Sequence, residues 1–375
     1  MLKENEITIL SLHLGYGGIE QYVSSLTKML EDNYKINIIA TYKVVDKPPF
    51  PFSDKINITY LLDYGPNKLA LKEAIKKKNL LAIFVEGFKS LKILFLKYYL
   101  NIKAIKHIDS KYIITTRDFH NKLVGIYARK AIIKIATEHN YHNNDQKYIN
   151  KVVSSVKNFD YFVLVSSTLT KFYQPLVKPK CVFIPNIIDK LPDNRTSLKD
   201  NILVSIGRME KEKGFDDLID IIALVKNEIP NIKLYLMGDG SLRNKLENKV
   251  KELSLTDNII FTGFIPKNEM AKYLTKAKLY VMTSHTESFG LVLVEAMSYG
   301  IPCIAFDSAD GAKELLKDNV GILINNRDKE KMAKEIVNLL NNKDKLITLS
   351  KASSKYAANY LPETVKDKWL NILNK

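Results

Sequence analysis

Short apolar runs rich in β-branched residues recur along this chain, most of them followed by a helix-like segment, and this alternation restricts the fold more than any other feature. In the second half, 202–206, 232–237, 259–262, 279–282, 303–306 and 321–324 read as strands, with 215–226, 242–253, 267–275, 290–299 and 329–340 as helices between most of them. The first half shows the same pattern: 7–12, 36–41, 58–61, 112–116, 132–137, 161–165 and 182–184 read as strands, 19–30 as an amphipathic helix and 66–106 as helix-like, apolar and lysine-rich. Such an alternation builds parallel sheets covered by helices. With 375 residues the chain is long for one core, so two doubly wound α/β units are expected, facing across a cleft. The polar, turn-rich stretch 192–201 separates the two sets of elements and reads as the linker, giving an N-terminal domain over 1–190 and a C-terminal domain over 191–354. The tail, 346–375, is helical, interrupted at Pro362 and anchored by Trp369.

Composition excludes several classes. The two cysteines, Cys181 and Cys303, lie in apolar runs and read as buried thiols, not as a disulfide framework or metal site. No signal-peptide pattern opens the chain, and no uncharged run approaches the ~18 residues of a membrane span, so a cytoplasmic location is expected. The net charge of +16 is uneven: residues 1–190 hold 29 Lys and Arg against 16 Asp and Glu, while the rest of the chain is nearly balanced. A basic half calls for an anionic partner, unless its lysines are only solvated.

The polar residues that could carry chemistry fall where the strands end. His285-Thr286-Glu287-Ser288-Phe289-Gly290 joins a buried strand to a helix, whose N-terminal N–H groups form a ready anion site. Glu287 and Glu295 would repel a phosphate but suit sugar hydroxyls beside one, a spacing that fits a nucleotide sugar. Gly207-Arg208 through Lys213-Gly214 leaves the strand 202–206 with fixed positive charge that could neutralise a diphosphate. Gly263 and Phe264 follow another strand, where the backbone could lie against a flat base. In the first half, Gly17 and Gly18 allow close backbone approach at a strand–helix turn, and Glu138-His139-Asn140 ends a strand, with His139 placed to donate a hydrogen bond to a sugar. A metal site at His139, His142 and Asp145 is loosely spaced. No Asp-x-Asp occurs, so no metal or other cofactor is expected, and Arg208 and Lys213 would supply its charge.

Taken together, these motifs resemble the retaining glycosyltransferases of family 4, with a GT-B fold of two Rossmann-like domains. The family's glutamate–seven residues–glutamate motif matches Glu287 and Glu295, with Ser288-Phe289-Gly290 between them; its Gly-Arg…Lys-Gly loop matches Arg208 and Lys213, and its N-terminal Gly-Gly loop Gly17 and Gly18. Glu138 to Asn140 resembles the acceptor-side histidine segment of bacterial polysaccharide members. The resemblance implies that Arg208, Lys213 and the backbone of Phe289, Gly290 and Leu291 bind the donor diphosphate. It places Glu287 by the sugar, Glu295 at the ribose, Gly263 and Phe264 beside the base, and His139 at the reaction centre, with Ser288 among the donor-binding residues. Glu138 and Asn140 fall on the acceptor side. A C-terminal helix, about 355–375, would cross back to the first domain. The implied reaction moves a hexose or N-acetylhexosamine, on UDP by default, to a glycan or polyprenyl-diphosphate-linked acceptor.

Other readings compete. A nucleotide-sugar hydrolase or epimerase would share the fold. A nucleic-acid-binding protein would use the basic half, yet no helix-turn-helix, RNA-binding or zinc signature is present, and no nucleic-acid partner is expected. A non-catalytic scaffold would be expected to lack Arg208, Lys213 or a motif glutamate, and all are present. Residues 68–106 carry ten lysines against Glu73 and Glu86 among many apolar residues. One reading makes this a core face with a solvated lysine face. The other rests it on an anionic membrane surface, making the protein peripheral on the inner face of the cell membrane.

Overall fold

The computed structural model describes residues 2–374. By contacts the chain divides into two compact units: the first holds the chain up to Leu164, Thr170–Ile184 and the segment from Lys368 onward, and the second holds Val165–Leu169 and Pro185–Asp367.

Unit 1 is built on seven strands: β1 (Lys3–Ser11), β2 (Lys35–Tyr42), β3 (Asn57–Leu62), β4 (Ser110–Thr115), β5 (Ile133–Glu138), β6 (Tyr161–Leu164) and β7 (Lys180–Phe183). They pair in parallel, in the order β3-β2-β1-β4-β5-β6-β7. The helices of this half are α1 (Gly18–Leu30), α2 (Lys68–Lys76), α3 (Leu80–His107), α4 (Asp118–Tyr127), α5 (Gln146–Ser155) and α6 (Ser167–Tyr173). Strands covered on both faces must be apolar almost throughout, and the last six residues of β1 are all buried. The chain order reverses between β1 and β4, so the loops after these two strands open at a topological switch point.

Unit 2 holds β8 (Ile202–Ile206), β9 (Lys233–Met237), β10 (Ile259–Gly263), β11 (Leu279–Met282), β12 (Cys303–Phe306) and β13 (Ile322–Ile324), all parallel, in the order β10-β9-β8-β11-β12-β13. Its helices are α7 (Phe215–Glu228), α8 (Arg243–Glu252), α9 (Lys267–Leu274), α10 (Leu291–Ser298), α11 (Asp310–Leu315), α12 (Lys329–Asn341) and α13 (Lys343–Ala357). Leu218, Ile222, Leu234, Val281, Ile304 and Ile336 belong to one continuous buried core. Here the switch point lies between β8 and β11.

One expectation about organisation is corrected. Residues 192–201 are not a linker: Thr196 N–H donates to the Tyr299 carbonyl at 2.9 Å and Ser197 N–H to the Thr275 carbonyl at 3.0 Å, so this polar stretch is fastened along unit 2. The contact boundary falls earlier, between Ile184 and Pro185. At the other end, Pro362 opens α14 (Pro362–Leu373), the helix position where its missing N–H costs nothing. From Lys368 the chain groups with unit 1, where Trp369 is buried, the Tyr112 hydroxyl donates to the Leu373 carbonyl, and Tyr34 donates to Asn374 Oδ1 at 2.8 Å.

Residues 68–106 can be read in two ways, as a core face with solvated lysines or as a membrane-facing surface. Most of the apolar residues of α3 do not cover the sheet: only Asn101 and Ile105 of this 28-residue helix are buried. It is attached near its C-terminal end, where the Thr41 hydroxyl donates to Asn101 Oδ1 at 3.2 Å and lies 3.0 Å from His120 Nε2. Burial, with the charges of Lys97 and Arg117, pushes His120 down to about 3, so this joint holds a neutral imidazole.

Candidate functional site

Two loops leave the switch point of unit 2 side by side. The loop after β8 ends in a short 3-10 turn, Lys211–Lys213, and Gly214. The loop after β11 runs from Thr283 to Gly290, which caps α10. The loops are bonded to each other: the Thr283 hydroxyl donates to the Lys213 carbonyl at 3.2 Å and His285 N–H to the Glu212 carbonyl at 2.8 Å. Gly214 is required there. Its φ is +64°, and a Cβ would lie 2.2 Å from the Thr283 carbonyl oxygen. Gly214→Ala is therefore expected to lower stability by roughly 1–3 kcal/mol and donor use with it, checked by thermal melts and turnover; an unchanged melt would contradict the close approach.

This contact brings Lys213 Nζ to 2.6 Å from Glu287 Oε2, with both side chains mostly buried (17% and 18% exposed). Arg208, by contrast, is 76% exposed and bridged to Glu212 at 3.1 Å. The two cations expected at the diphosphate thus differ: Arg208 reaches outward, while Lys213 turns inward onto the motif glutamate. No side chain among the described residues caps the N-terminus of α10; Leu293 N–H turns back to the Gly290 carbonyl at 2.8 Å, and the positive dipole end of the helix lies beside this pair. Ser288 is buried, Leu291 half-buried, and the Phe289 ring is buried edge-on against Tyr360 at 5.5 Å. Phe289 can thus offer a ligand only its backbone.

Glu295 lies one turn into α10, mostly buried, with Lys267 Nζ at 3.8 Å. Lys267 also donates to Asp189 at 2.8 Å, and these carboxylates hold its ammonium above the ordinary range against the opposing effect of burial. Sequence reading missed this lysine; its one signal is its place just after Pro266 at the start of a helix. Gly263 ends β10 with φ +72°, and Phe264 beyond it is exposed.

In unit 1 the loops at the switch point hold a second polar cluster. A Cβ on Gly17 would sit 2.1 Å from Oε2 of Glu20, a buried carboxylate whose other oxygen lies 3.5 Å from His13 Nδ1 and 3.4 Å from Arg117 Nη2. A Cβ on Gly18 would meet open space. His139 follows β5 with its Nε2 3.0 Å from the Thr137 hydroxyl and its ring 4.2 Å from that of Tyr22, whose buried hydroxyl has no hydrogen-bond partner among the described residues. Arg117 and Tyr22 were not among the expected site residues. The assignment of Glu138 to an acceptor surface is corrected: its carboxylate is buried and accepts from the His139 and Asn140 N–H groups, both at 2.9 Å, so it shapes the turn that presents His139. Burial pushes the Glu138 carboxyl upward, against those hydrogen bonds. Asn140 is exposed, and its side-chain amide also bonds Glu138, at 3.3 Å. His142 is stacked on Phe172 at 3.9 Å, and Asp145 caps α5, so these two are used structurally.

Among the described residues, the one carboxylate group close enough to hold a cation is Asp216, Asp217 and Asp220 on α7. Lys249, Arg327 and Lys329 already pair with it, as structural ion pairs.

Two parallel doubly wound units with polar loops at each switch point define the GT-B architecture. Residues 187–359 match the family model described as glycosyl transferases group 1. The chain is 24% identical over 371 residues to an uncharacterized glycosyltransferase of Haemophilus influenzae, covering 95% of this chain and 96% of that protein. It is 25% identical over 377 residues to the Campylobacter jejuni GalNAc-alpha-(1->4)-GalNAc-alpha-(1->3)-diNAcBac-PP-undecaprenol alpha-1,4-N-acetyl-D-galactosaminyltransferase, covering 98% of each. A solved structure of an S. aureus TarM mutant in complex with fondaparinux, alpha-GlcNAc-glycerol and UDP is similar in fold, with a TM-score of 0.79 at 15% identity, over 99% of this chain and 100% of that one. This chain is a glycosyltransferase with the GT-B fold.

Proposed function

We propose that the chain is a retaining glycosyltransferase of family 4 that moves a hexose or N-acetylhexosamine from a UDP-linked donor to a lipid-linked or glycan acceptor in cell-envelope polysaccharide assembly. The observation that carries this reading is the convergence of Lys213, Glu287 and the uncapped N-terminus of α10 at the switch point of unit 2. Breaking the sugar–phosphate bond leaves charge on the diphosphate, and Lys213, Arg208 and the α10 N–H groups are the donors that stabilise it. Glu287 accepts from the donor sugar and Glu295 from the ribose, with Phe264 beside the base. In unit 1, His139 and the loop at Gly17 and Gly18 serve the sugar. The acceptor oxygen bonds to the anomeric carbon on the face the phosphate leaves, and its proton passes to a phosphate oxygen. No metal takes part: the cationic side chains supply the charge.

The Campylobacter relative, whose name carries an undecaprenol acceptor, favours a lipid-linked acceptor here. So does α3. Leu81, Phe84, Phe88, Leu91, Phe95 and Tyr98 form an exposed seam with alternating steps of three and four residues, with Phe84 74% and Phe95 68% exposed. Glu73 and Glu86 are paired with Lys77 and Lys89, leaving the other lysines of 68–106 in excess. No helix among the described residues is long and apolar enough to cross a membrane. An apolar seam flanked by lysines suits the cytoplasmic surface of an anionic bilayer, each lysine there adding ~1 kcal/mol. Sedimentation should show binding to anionic liposomes that weakens in high salt, and little to neutral ones; equal, weak binding to both would remove the membrane from the account.

Incubation with a panel of UDP- and GDP-sugars and a polyprenyl-diphosphate-linked glycan tests the reaction itself. Elongation of the acceptor from a UDP-sugar is expected. Release of sugar to water alone would make the chain a hydrolase, and no turnover of any donor would overturn the reading.

A further inference from the structure

The loop after β11 and the start of α7, which follows the loop after β8, are joined by a side chain from far along the sequence. Arg327, just after β13, donates through Nη1 to the Ser284 carbonyl at 3.1 Å and to Ser308 Oγ at 2.8 Å. Through Nη2 it donates to the Thr283 carbonyl at 2.9 Å and to Asp217 Oδ2 at 2.5 Å. Its guanidinium stands 4.6 Å from the Phe306 ring centre. Thr283 and Ser284 lead to Glu287, and Asp217 is in the first turn of α7, directly after the loop that carries Lys213. Asn326 and Arg327 are both left-handed, with φ of 59° and 52°; asparagine adopts this conformation readily, whereas an arginine rarely does and the surrounding contacts must hold it. This left-handed backbone accompanies a guanidinium set between the loop after β11 and the first turn of α7.

We propose that Arg327 is a positioning residue for the transfer reaction, clamping the loop after β11 to the start of α7, which follows the loop that carries Lys213, so that Lys213 and Glu287 stay in register. The proposal rests on the reading of unit 2 as the donor site. A planar fork with donors on two nitrogens can bond the loop after β11 and the first turn of α7 at once, whereas an ammonium is a single point charge. The nearby contacts agree: Ser308 Oγ donates to the Ser284 carbonyl at 3.0 Å, and the Arg327 Nη2 would lie 2.9 Å from a Cβ on Gly214.

Arg327→Met, Arg327→Lys and Asp217→Asn test the clamp, each measured for melting temperature, UDP affinity and steady-state transfer beside the unaltered protein. Arg327→Met should keep the circular-dichroism spectrum of the fold and lower kcat at least tenfold, with UDP affinity weakened in the manner of Lys213→Ala. Arg327→Lys should recover only part of the loss, and Asp217→Asn should give a smaller defect of the same kind. If Arg327→Met fails to fold, Arg327→Lys and Asp217→Asn report the same quantities. Lower melting temperatures with unchanged kcat, KM and UDP affinity would make Arg327 a stabilising residue only and overturn the proposal. Failure of the unaltered protein to use any nucleotide sugar would instead count against the donor-site reading.

Discussion

Lys213→Ala is expected to lower turnover of the nucleotide-sugar donor by ~10²–10³-fold, the usual loss when one donor to a developing oxyanion is removed. The structure adds a stability effect. Lys213 is paired at 2.6 Å with Glu287, so truncation strands a mostly buried carboxylate. Leaving such a group unsatisfied costs about 1–3 kcal/mol, and each kcal/mol lowers Tm by about 2–4 °C in a unit of this size. The two effects separate in a double variant. Lys213→Ala combined with Glu287→Gln should recover much of the lost Tm, because no uncompensated charge remains, while turnover stays low. Arg208→Ala, in contrast, removes an exposed side chain and should leave Tm unchanged, since surface pairs such as its bridge to Glu212 contribute little. Near-normal turnover in both single variants would sink the diphosphate assignment.

Glu287→Gln and Glu295→Gln should fail in different ways. Glu287 shares its position with the cation that meets the leaving group, so its loss should fall on kcat, by roughly 10²-fold, with UDP affinity nearly unchanged; an interaction made mainly in the transition state behaves this way. Glu295 sits apart, near Lys267, and is assigned to the ribose. Its replacement removes charge-assisted hydrogen bonds of about 1.5 kcal/mol and should weaken UDP binding about tenfold. Calorimetric titration of UDP into both variants, beside initial rates, decides between them. If Glu287→Gln lost nucleotide affinity and Glu295→Gln kept it, the two roles would be reversed.

Much of this arrangement was legible in the residues because parallel strands buried on both faces must be apolar and β-branched. The strands at 202–206, 279–282 and 303–306 coincide with β8, β11 and β12. The loops following those strands were legible too, because glycines and charged residues stand out against apolar runs. What sequence could not give was pairing between distant positions. Nothing local marks Arg327 as the partner of Thr283 and Ser284, or Lys267 as the neighbour of Glu295. Glu138 misled because a carboxylate at a strand end looks available, whereas here it satisfies the turn that follows it. The apolar residues of α3 show the limit of periodicity: it marks an apolar face without saying what covers it. The helices Asp118–Tyr127, Gln146–Ser155 and Asp310–Leu315 were absent from the expected set.

The central claim is that unit 2 holds a nucleoside diphosphate through Lys213 and the N-terminus of α10, without a metal. Titration of UDP and GDP into the unaltered protein and into Lys213→Ala, each with and without EDTA, tests it most directly. The account predicts saturable binding of UDP by the unaltered protein, unchanged by EDTA and at least tenfold weaker in Lys213→Ala. Binding that disappears on chelation, or that survives intact in Lys213→Ala, would contradict it.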